Sequence, residues 1–494
     1  MNARFKVGLA LFAVAITPRL LGAFFLPNTF GDAYVYIRDI GNLSTKIKRG
    51  AFAVTDLYGF WLPLYQLISA FINVFVGNGF YSGKIVAALF GAGVCLLVYE
   101  ITVQFVDQKK AAFLCFLLIA LNPLHILTST SALTDVPHAF FVLSALLFVL
   151  KRRWLLAAIF AALAGLTRVE SWMLIALIPA LQFWKERRVS IVALLIMMIS
   201  PLFWFWLSWK ATGDSLATFK VRQQYHDLLL TQNPALMHFS FAGVAKDLLM
   251  LLSGADIAVF LAVFVAAALV IRQPFKQDDH RISNTELQTP NPKPVLPALV
   301  FFFAFFVLLM GAYLTHQQPI IFPRYGLILF SLGIPILAWT YLTIKKRRPA
   351  VSGGVLVVII VFCVLNAIAQ FAGGVGELHR YAAQRQIADY LHINLDPNSN
   401  GKIFCDEGTV RALSGIPDDR FVTSADVPKD YDGFYSALAA RNVDWLVVAT
   451  QPGSTASQLF PWSEYGERIG PYLGDMEAHR LFLPTNIHVY RRTR

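Results

Sequence analysis

Long apolar runs separated by short basic clusters dominate the chain. A bilayer core of about 30 Å is crossed by roughly 20 apolar helical residues. Runs of that kind fall at 7–26, 82–105, 111–129, 136–150, 189–208, 256–272, 295–314, 325–344 and 351–373. Residues 154–184 are apolar as well, but "KRR" (Lys151 to Arg153) and "KERR" (Lys185 to Arg188) flank them. Basic residues concentrate on the cytoplasmic side, so this segment must enter and return. About 15 residues per arm reach about 22 Å at 1.5 Å per residue. The pattern therefore predicts a hairpin of two short helices with its tip, "LTRVES", in the outer half of the membrane. Counting the hairpin twice gives about 11 spans.

With the N-terminus inside, "VDQKK", "KRR", "KERR", the polar stretch 272–294 and "KKRR" (Lys345 to Arg348) all fall inside. The outer side then receives 30–81, 129–135, 209–255, 315–324 and everything after about 375. One feature resists this parity. The first outer loop carries Arg38, Lys46, Lys48 and Arg49, which the positive-inside rule disfavours there. The same loop contains "FWLPLYQLISAFINVFVG" (60–77). That run is long enough to span, but spanning would reverse every later loop. It is expected to lie in the outer interface as a helix. At the N-terminus, Arg4 and Lys6 precede "VGLALFAVAITP" in the manner of a signal peptide. No convincing small-x-small cleavage site follows, so an uncleaved first helix is expected.

After Gly376 the pattern changes. Short apolar runs, "KIFCD" (402–406), "DWLVVAT" (444–450) and "IHVYRR" (487–492), alternate with helix-like stretches such as "HRYAAQRQIADYLHINL" (379–395). Strands alternating with helices suggest a small α/β domain. The expected architecture is a polytopic α-helical membrane protein. Its transmembrane domain covers 1–375, including the long first outer loop 30–81, and a small extracytoplasmic α/β domain covers 376–494.

Composition agrees. Of the 494 residues, 56% are hydrophobic and 15% charged, against roughly 25% charged in soluble domains. The net charge of +12 does not imply nucleic acid, because the bases sit at the ends of apolar runs, facing membrane lipids. The four cysteines, Cys95, Cys115, Cys363 and Cys405, form no CxxC, which argues against a disulfide framework or a zinc site.

Candidate chemistry gathers at the outer mouths of the spans. Asp32, in "LPNTFGDAYVYIRDIG", lies just past the first span, and Asp135, in "STSALTDVPHAFF", just before the fourth. Each could simply cap a helix. His138 is one turn from Asp135, and Asp32, Asp135 and His138 are the candidates for a divalent cation, although their spacing matches no known metal motif. Arg168 and Glu170 stand at the hairpin tip. A charge at membrane depth is costly unless paired or facing water, so these two either pair with each other or serve a ligand. Arg324, in "HQQPIIFPRYG", sits at another outer mouth with His316 near it; it either snorkels to the interface or forms a second anion clamp. Tyr34 and Tyr65 could stack on sugar rings or belong to an aromatic belt.

The order of these motifs resembles a family. A first helix, an acid in a long first outer loop and an "LPLY" turn are followed by "ALNPLHILTSTSALTDVPHAFFVLSALLF", "GLTRVESWMLIALIPAL" and "PRYGLILFSLGIPILAW". Over roughly residues 5–345 this resembles the GT-C membrane glycosyltransferases, which include protein O-mannosyltransferases and the aminoarabinose transferases of lipid A. The resemblance implies transfer of a sugar from a polyprenyl-phosphate donor to a lipid, glycan or protein acceptor, outside a bacterial or archaeal cell membrane. It implies Asp32 as general base, Asp135 as the acid before the fourth span, Arg168 at the hairpin's basic position and Arg324 as the late basic residue. Glu170, His138, His316, Tyr34 and Tyr65 would support the site. Ala33 after Asp32, where many members have a second acid, and "TRVES" at the hairpin depart from the family pattern. They leave the metal and the sugar class open. The rival class is a transporter or flippase of a lipid-linked or anionic substrate, which would place its charges near mid-membrane on broken helices with internal repeats. The chain shows no repeat.

Overall fold

The computed structural model describes residues 3–106, 108–232, 241–272, 294–314, 322–396, 399–424, 426–428, 430–449, 468–469, 471–479 and 486–493. Contacts divide the chain into two compact units. Residues 1–26 go with 40–374, and residues 27–39 with 375–494.

The first unit is helical. α1 (Ala3–Phe25) leads to α2 (Gly31–Lys48), an amphipathic helix whose first turns belong to the second unit. α3 (Leu64–Val76) and α4 (Gly79–Phe105) follow. α3 occupies the run expected at the interface. Its 13 residues reach about 20 Å, short of a bilayer core. It buries Tyr65, Ser69 and Asn73 on one side and exposes Phe71 and Phe75 on the other. Two of the four bases of this loop meet acids: Lys46 Nζ meets Asp56 Oδ1 at 2.7 Å, and Arg38 Nη2 meets Asp39 Oδ1 at 3.2 Å.

The expected span 111–129 is broken. α5 (Lys109–Ala120) and α6 (Pro123–Ser129) meet at 61°. Pro123 lacks the N–H that would continue the ladder, and Asn122 Oδ1 accepts from His125 N at 2.8 Å to restart it. The carbonyls freed at the end of α5 are met by Arg19, which is fully buried. Its Nη1 donates to Ala120 O at 3.3 Å and to Ala15 O at 2.7 Å, and its Nη2 to Ile119 O at 3.4 Å. The same Nη2 lies 2.8 Å from His125 Nδ1.

α7 (Asp135–Leu150) precedes the hairpin, which forms as two short helices, α8 (Trp154–Gly165) and α9 (Leu174–Glu186), around a 3-10 turn at Val169–Met173. α10 (Ile191–Thr212), α11 (Ala217–Gln232) and α12 (Phe241–Ala255) come next. α12 meets α13 (Ile257–Ile271) at 91° across Asp256, whose φ is +65°. α14 (Val295–Leu314), a 3-10 turn at Pro323–Gly326, α15 (Leu327–Arg347) and α16 (Pro349–His379) complete the series. Among the described residues, six helices are long and apolar enough to cross a membrane, or eight if each bent pair is one span. The helices at 64–76, 135–150 and 154–165 are shorter and apolar. The core joins Cys95, Leu143, Ala158, Val263, Phe302 and Trp339. The span ending in α15 buries 89% of its apolar window, whereas that of α16 buries 0%. A helix apolar all round and uncovered by protein is a surface for lipid tails.

The second unit is a six-stranded mixed sheet with helices on both faces. β1 (Lys402–Cys405) pairs parallel with β2 (Phe421–Val422) and β3 (Val443–Ala449). β4 (Arg468–Ile469), β5 (Tyr472–His479) and β6 (Asn486–Arg492) add antiparallel pairings, and the order is β2-β1-β3-β6-β5-β4. Alternation along the strands builds two cores. Ile403, Cys405, Val447 and Val489 face Ile387 and Leu391 of α17 (Ala382–Asn394) and Val410 of α18 (Gly408–Ser414). Phe404, Leu446, Val448 and Tyr490 face Phe434 and Leu438 of α19 (Tyr431–Ala440).

Candidate active site

Four charged side chains meet within the helical unit. Asp135, the first residue of α7, is 7% exposed. Its Oδ1 lies 3.1 Å from Arg168 Nη1 and its Oδ2 4.0 Å from Arg324 Nη1. Arg168, at the hairpin tip, also donates from Nη2 to Glu170 Oε1 at 2.7 Å and from Nε to the same oxygen at 3.2 Å. Tyr325 lies under both guanidinium groups, at 5.6 Å from Arg168 and 5.5 Å from Arg324. Of the two readings of the hairpin charges, the pair is present: Arg168 meets Glu170 and also reaches a second acid 33 residues away.

Charge balance limits what this cluster does. Two guanidinium groups face two carboxylates, so it is neutral as it stands. A guanidinium carries five N–H donors, and the three Arg168 contacts leave donors for a ligand. Arg168, Glu170 and Tyr325 line a small cavity of about 60 Å³ whose other walls are Leu251, Leu308, Leu309 and Ala312. An oriented guanidinium beside a leucine wall is suited to a group with an anionic head and an apolar tail.

Two glycines set the position of Arg324. α12 crosses the 323–326 turn so closely that a Cβ on Gly254 would lie 1.7 Å from Pro323 O. A Cβ on Gly326 would lie 2.4 Å from Leu251 O. His138 Nε2 lies 2.7 Å from Ser171 Oγ, tying α7 to the hairpin, and its ring meets Phe305 edge-on. Tyr65 is buried, and its hydroxyl donates to Gly83 O at 2.8 Å, so its ring braces α3 against α4. His316 lies outside the described residues.

Asp32 and Tyr34 belong to the second unit. Asp32 is a half-exposed first-turn acid of α2. Tyr34 is buried; its hydroxyl donates to Asn28 O at 3.0 Å and its ring meets Tyr381 edge-on at 5.2 Å. Neither Tyr34 nor Tyr65 offers an open face for a sugar ring. Among the described residues, no group of three or more His, Cys, Asp and Glu side chains is placed to hold a metal ion. Asp135 already faces two guanidinium groups and His138 meets Ser171. As arranged, the Asp135 and His138 donors are engaged by protein partners.

Sequence reasoning missed Arg19 and Lys84. Both are fully buried, and Lys84 donates to Leu26 O and lies over the Phe80 ring at 4.7 Å. The signal was available: a lone base inside an otherwise apolar run has to find acceptors.

The helical unit and the small C-terminal sheet domain together have a GT-C-like fold. The chain is similar over 99% of its length to ArnT from Cupriavidus metallidurans bound to undecaprenyl phosphate. That match has a TM-score of 0.62, 14% identity and 98% of the ArnT chain covered. The apo form of that ArnT gives a TM-score of 0.60 at 12% identity, again over 99% and 98% of the two chains. The arabinofuranosyltransferase AftD from Mycobacteria matches with a TM-score of 0.42 at 12% identity, over 100% of this chain and 40% of AftD. No family model and no curated protein sequence matches the chain. With this fold and its apolar helices, the protein is an integral membrane protein.

Proposed function

We propose that the protein is a glycosyltransferase that takes a sugar from a polyprenyl-phosphate donor and transfers it to an extracytoplasmic hydroxyl of a lipid, glycan or protein. The carrying observation is the cavity between the Arg168 guanidinium and a leucine wall, in a fold shared with a protein that binds undecaprenyl phosphate. Arg168 and Arg324 receive the lipid phosphate through charge-assisted hydrogen bonds. Asp135 and Glu170 orient Arg168, so its free donors are fixed before the ligand arrives.

The acceptor oxygen attacks the anomeric carbon from the face opposite the phosphate. The carbon–oxygen bond to phosphate breaks, the leaving polyprenyl phosphate keeps the electron pair, and the acceptor proton passes to Asp32. One displacement inverts the anomeric configuration. Phosphate leaves as an anion, so no second acid is required to protonate it. Asp32 suits the base because it is a partly exposed carboxylate in the first turn of a helix, the kind of group that can accept a hydroxyl proton.

The test is incubation of the purified protein in liposomes with a panel of radiolabelled undecaprenyl-phosphate pentoses and hexoses. Release of undecaprenyl phosphate with transfer of label supports the enzyme. Movement of intact donor across the bilayer without release would establish the flippase instead.

A further inference from the structure

The acid assigned to proton abstraction falls in the second compact unit. Residues 27–39 belong to the same compact unit as 375–494. Asn28 and Thr29 are fully buried, and the Tyr34 hydroxyl closes the turn back on Asn28 O. Two contacts tie this segment to the C-terminal domain. Tyr34 and Tyr381 meet at 5.2 Å with planes at 66°, and Arg38 Nε lies 4.0 Å from Asp418 Oδ2.

The tightest approach is at Gly31. A Cβ there would lie 2.9 Å from the Tyr381 hydroxyl oxygen and 3.8 Å from the ring carbon that bears it. Tyr381 is the residue from which α17 starts, and α17 is anchored in the sheet core through Ile387 and Leu391. The hydroxyl is therefore held from behind by a folded domain. Burial, and then the charges of Glu377, Asp32 and Glu407, push the Tyr381 hydroxyl up against the opposing effect of Arg380. The Asp32 carboxylate is thus close enough for its charge to be felt there.

We infer that the C-terminal domain is the rest against which the base is aimed: Tyr381 is a positioning residue that fixes the Gly31–Asp32 turn at the start of α2. This builds on the reading of Asp32 as the base. The domain then contributes to turnover through the position it gives Asp32. A displacement of about 1 Å in a catalytic group can cost on the order of 10²-fold in rate.

Two measurements on the full-length protein in liposomes test this. The first is amide hydrogen exchange of residues 31–36, which needs no substrate. Tyr381→Ala should speed exchange there and leave α7 unchanged; unchanged exchange at 31–36 overturns the inference. The second is turnover on the donor panel. Gly31→Ala should lower kcat by about 10-fold or more, with donor KM and melting temperature unchanged. Combining it with Tyr381→Phe removes the oxygen that the new methyl meets and should restore most of the rate. Wild-type turnover in Gly31→Ala, or a loss that Tyr381→Phe fails to rescue, overturns the inference. Asp32→Asn in the same assay separates the two ideas. Full turnover in that variant ends the reading of Asp32 as base, whereas an inactive Asp32→Asn beside normal Tyr381 and Gly31 variants ends only the role of Tyr381.

Discussion

Replacing Gly254 by alanine tests how Arg324 is held. The new Cβ would lie 1.7 Å from Pro323 O, 2.7 Å from the carbonyl carbon and 3.2 Å from Gly326 Cα, where ordinary contact begins at 3.4 Å. The shortfall at the oxygen is 3.4 − 1.7, or 1.7 Å. The obstructing atoms are backbone, so no side-chain rotation relieves the clash. Either α12 or the 323–326 turn must move, and Arg324 follows Pro323 directly. Overpacking of this kind costs about 1–3 kcal/mol and occasionally more. The control is Gly311→Ala in α14, where nothing lies within 4 Å of the added atom. There, alanine replaces glycine inside a helix, a change worth up to about 1 kcal/mol in favour of alanine. Purified variants would be compared by thermal unfolding and by affinity for undecaprenyl phosphate. Gly254→Ala should melt several degrees below wild type and bind the lipid more weakly, whereas Gly311→Ala should match or exceed wild type in both. Wild-type melting and affinity in Gly254→Ala would refute both the close crossing and its role in placing Arg324.

Arg168→Ala should weaken undecaprenyl phosphate binding by roughly 10- to 150-fold, the equivalent of one charge-assisted hydrogen bond, and unchanged affinity in both Arg168→Ala and Arg324→Ala would make the arginines structural. Asp32→Asn keeps the size and capping ability of the residue but removes its basicity; turnover should fall by about 10²-fold or more at unchanged donor affinity and melting temperature. A cysteine at exposed Asp419 should react with an impermeant maleimide in intact spheroplasts, because the C-terminal domain is assigned to the outer side, and labelling only after lysis would reverse that assignment. The native Cys405 should stay silent until denaturation, since it is buried and burial pushes its thiol up, leaving little thiolate at neutral pH.

Hydropathy made the helical unit legible because the bilayer demands one simple thing, a long apolar run. The hairpin emerged from flanking bases and arm length alone, and its two helices and turn lie where that arithmetic put them. The break at 121–122 was less visible, because Asn122 and Pro123 interrupt a run that remains apolar on both sides. In the C-terminal domain the apolar runs at β1, β3 and β6 stood out. β5 did not: "YLGDMEAH" buries Tyr472 and Ala478 among mostly exposed positions, so no apolar run marks it, and its antiparallel pairing with the next strand, β6, is visible only in the fold.

The charged cluster was half legible. Each residue could be singled out by its cost at membrane depth, but the Asp135–Arg168 pairing joins helix starts 33 residues apart, and nothing local announces it. Gly254 carried no signal at all, since its role is to be absent at a backbone crossing. The packing of residues 27–39 with the C-terminal unit was equally hidden, because the partner of Gly31 is a tyrosine 350 positions later.

The contact that Arg19 makes with the end of α5 has a bearing on biogenesis. Its acceptors on Ile119 and Ala120 lie 100 and 101 residues downstream. At about 5–20 residues per second of synthesis, the ribosome needs on the order of 5–20 s to deliver them. Throughout that interval the first helix carries a permanent charge with one native acceptor in its own helix, Ala15 O, and the downstream ones not yet made, at an insertion cost of roughly 2.5–3.5 kcal/mol if it sits at the membrane centre. The first helix therefore cannot settle in isolation. It stays beside the insertion machinery, or keeps its guanidinium toward water, until the fifth arrives, so this segment is made long before it can be seated.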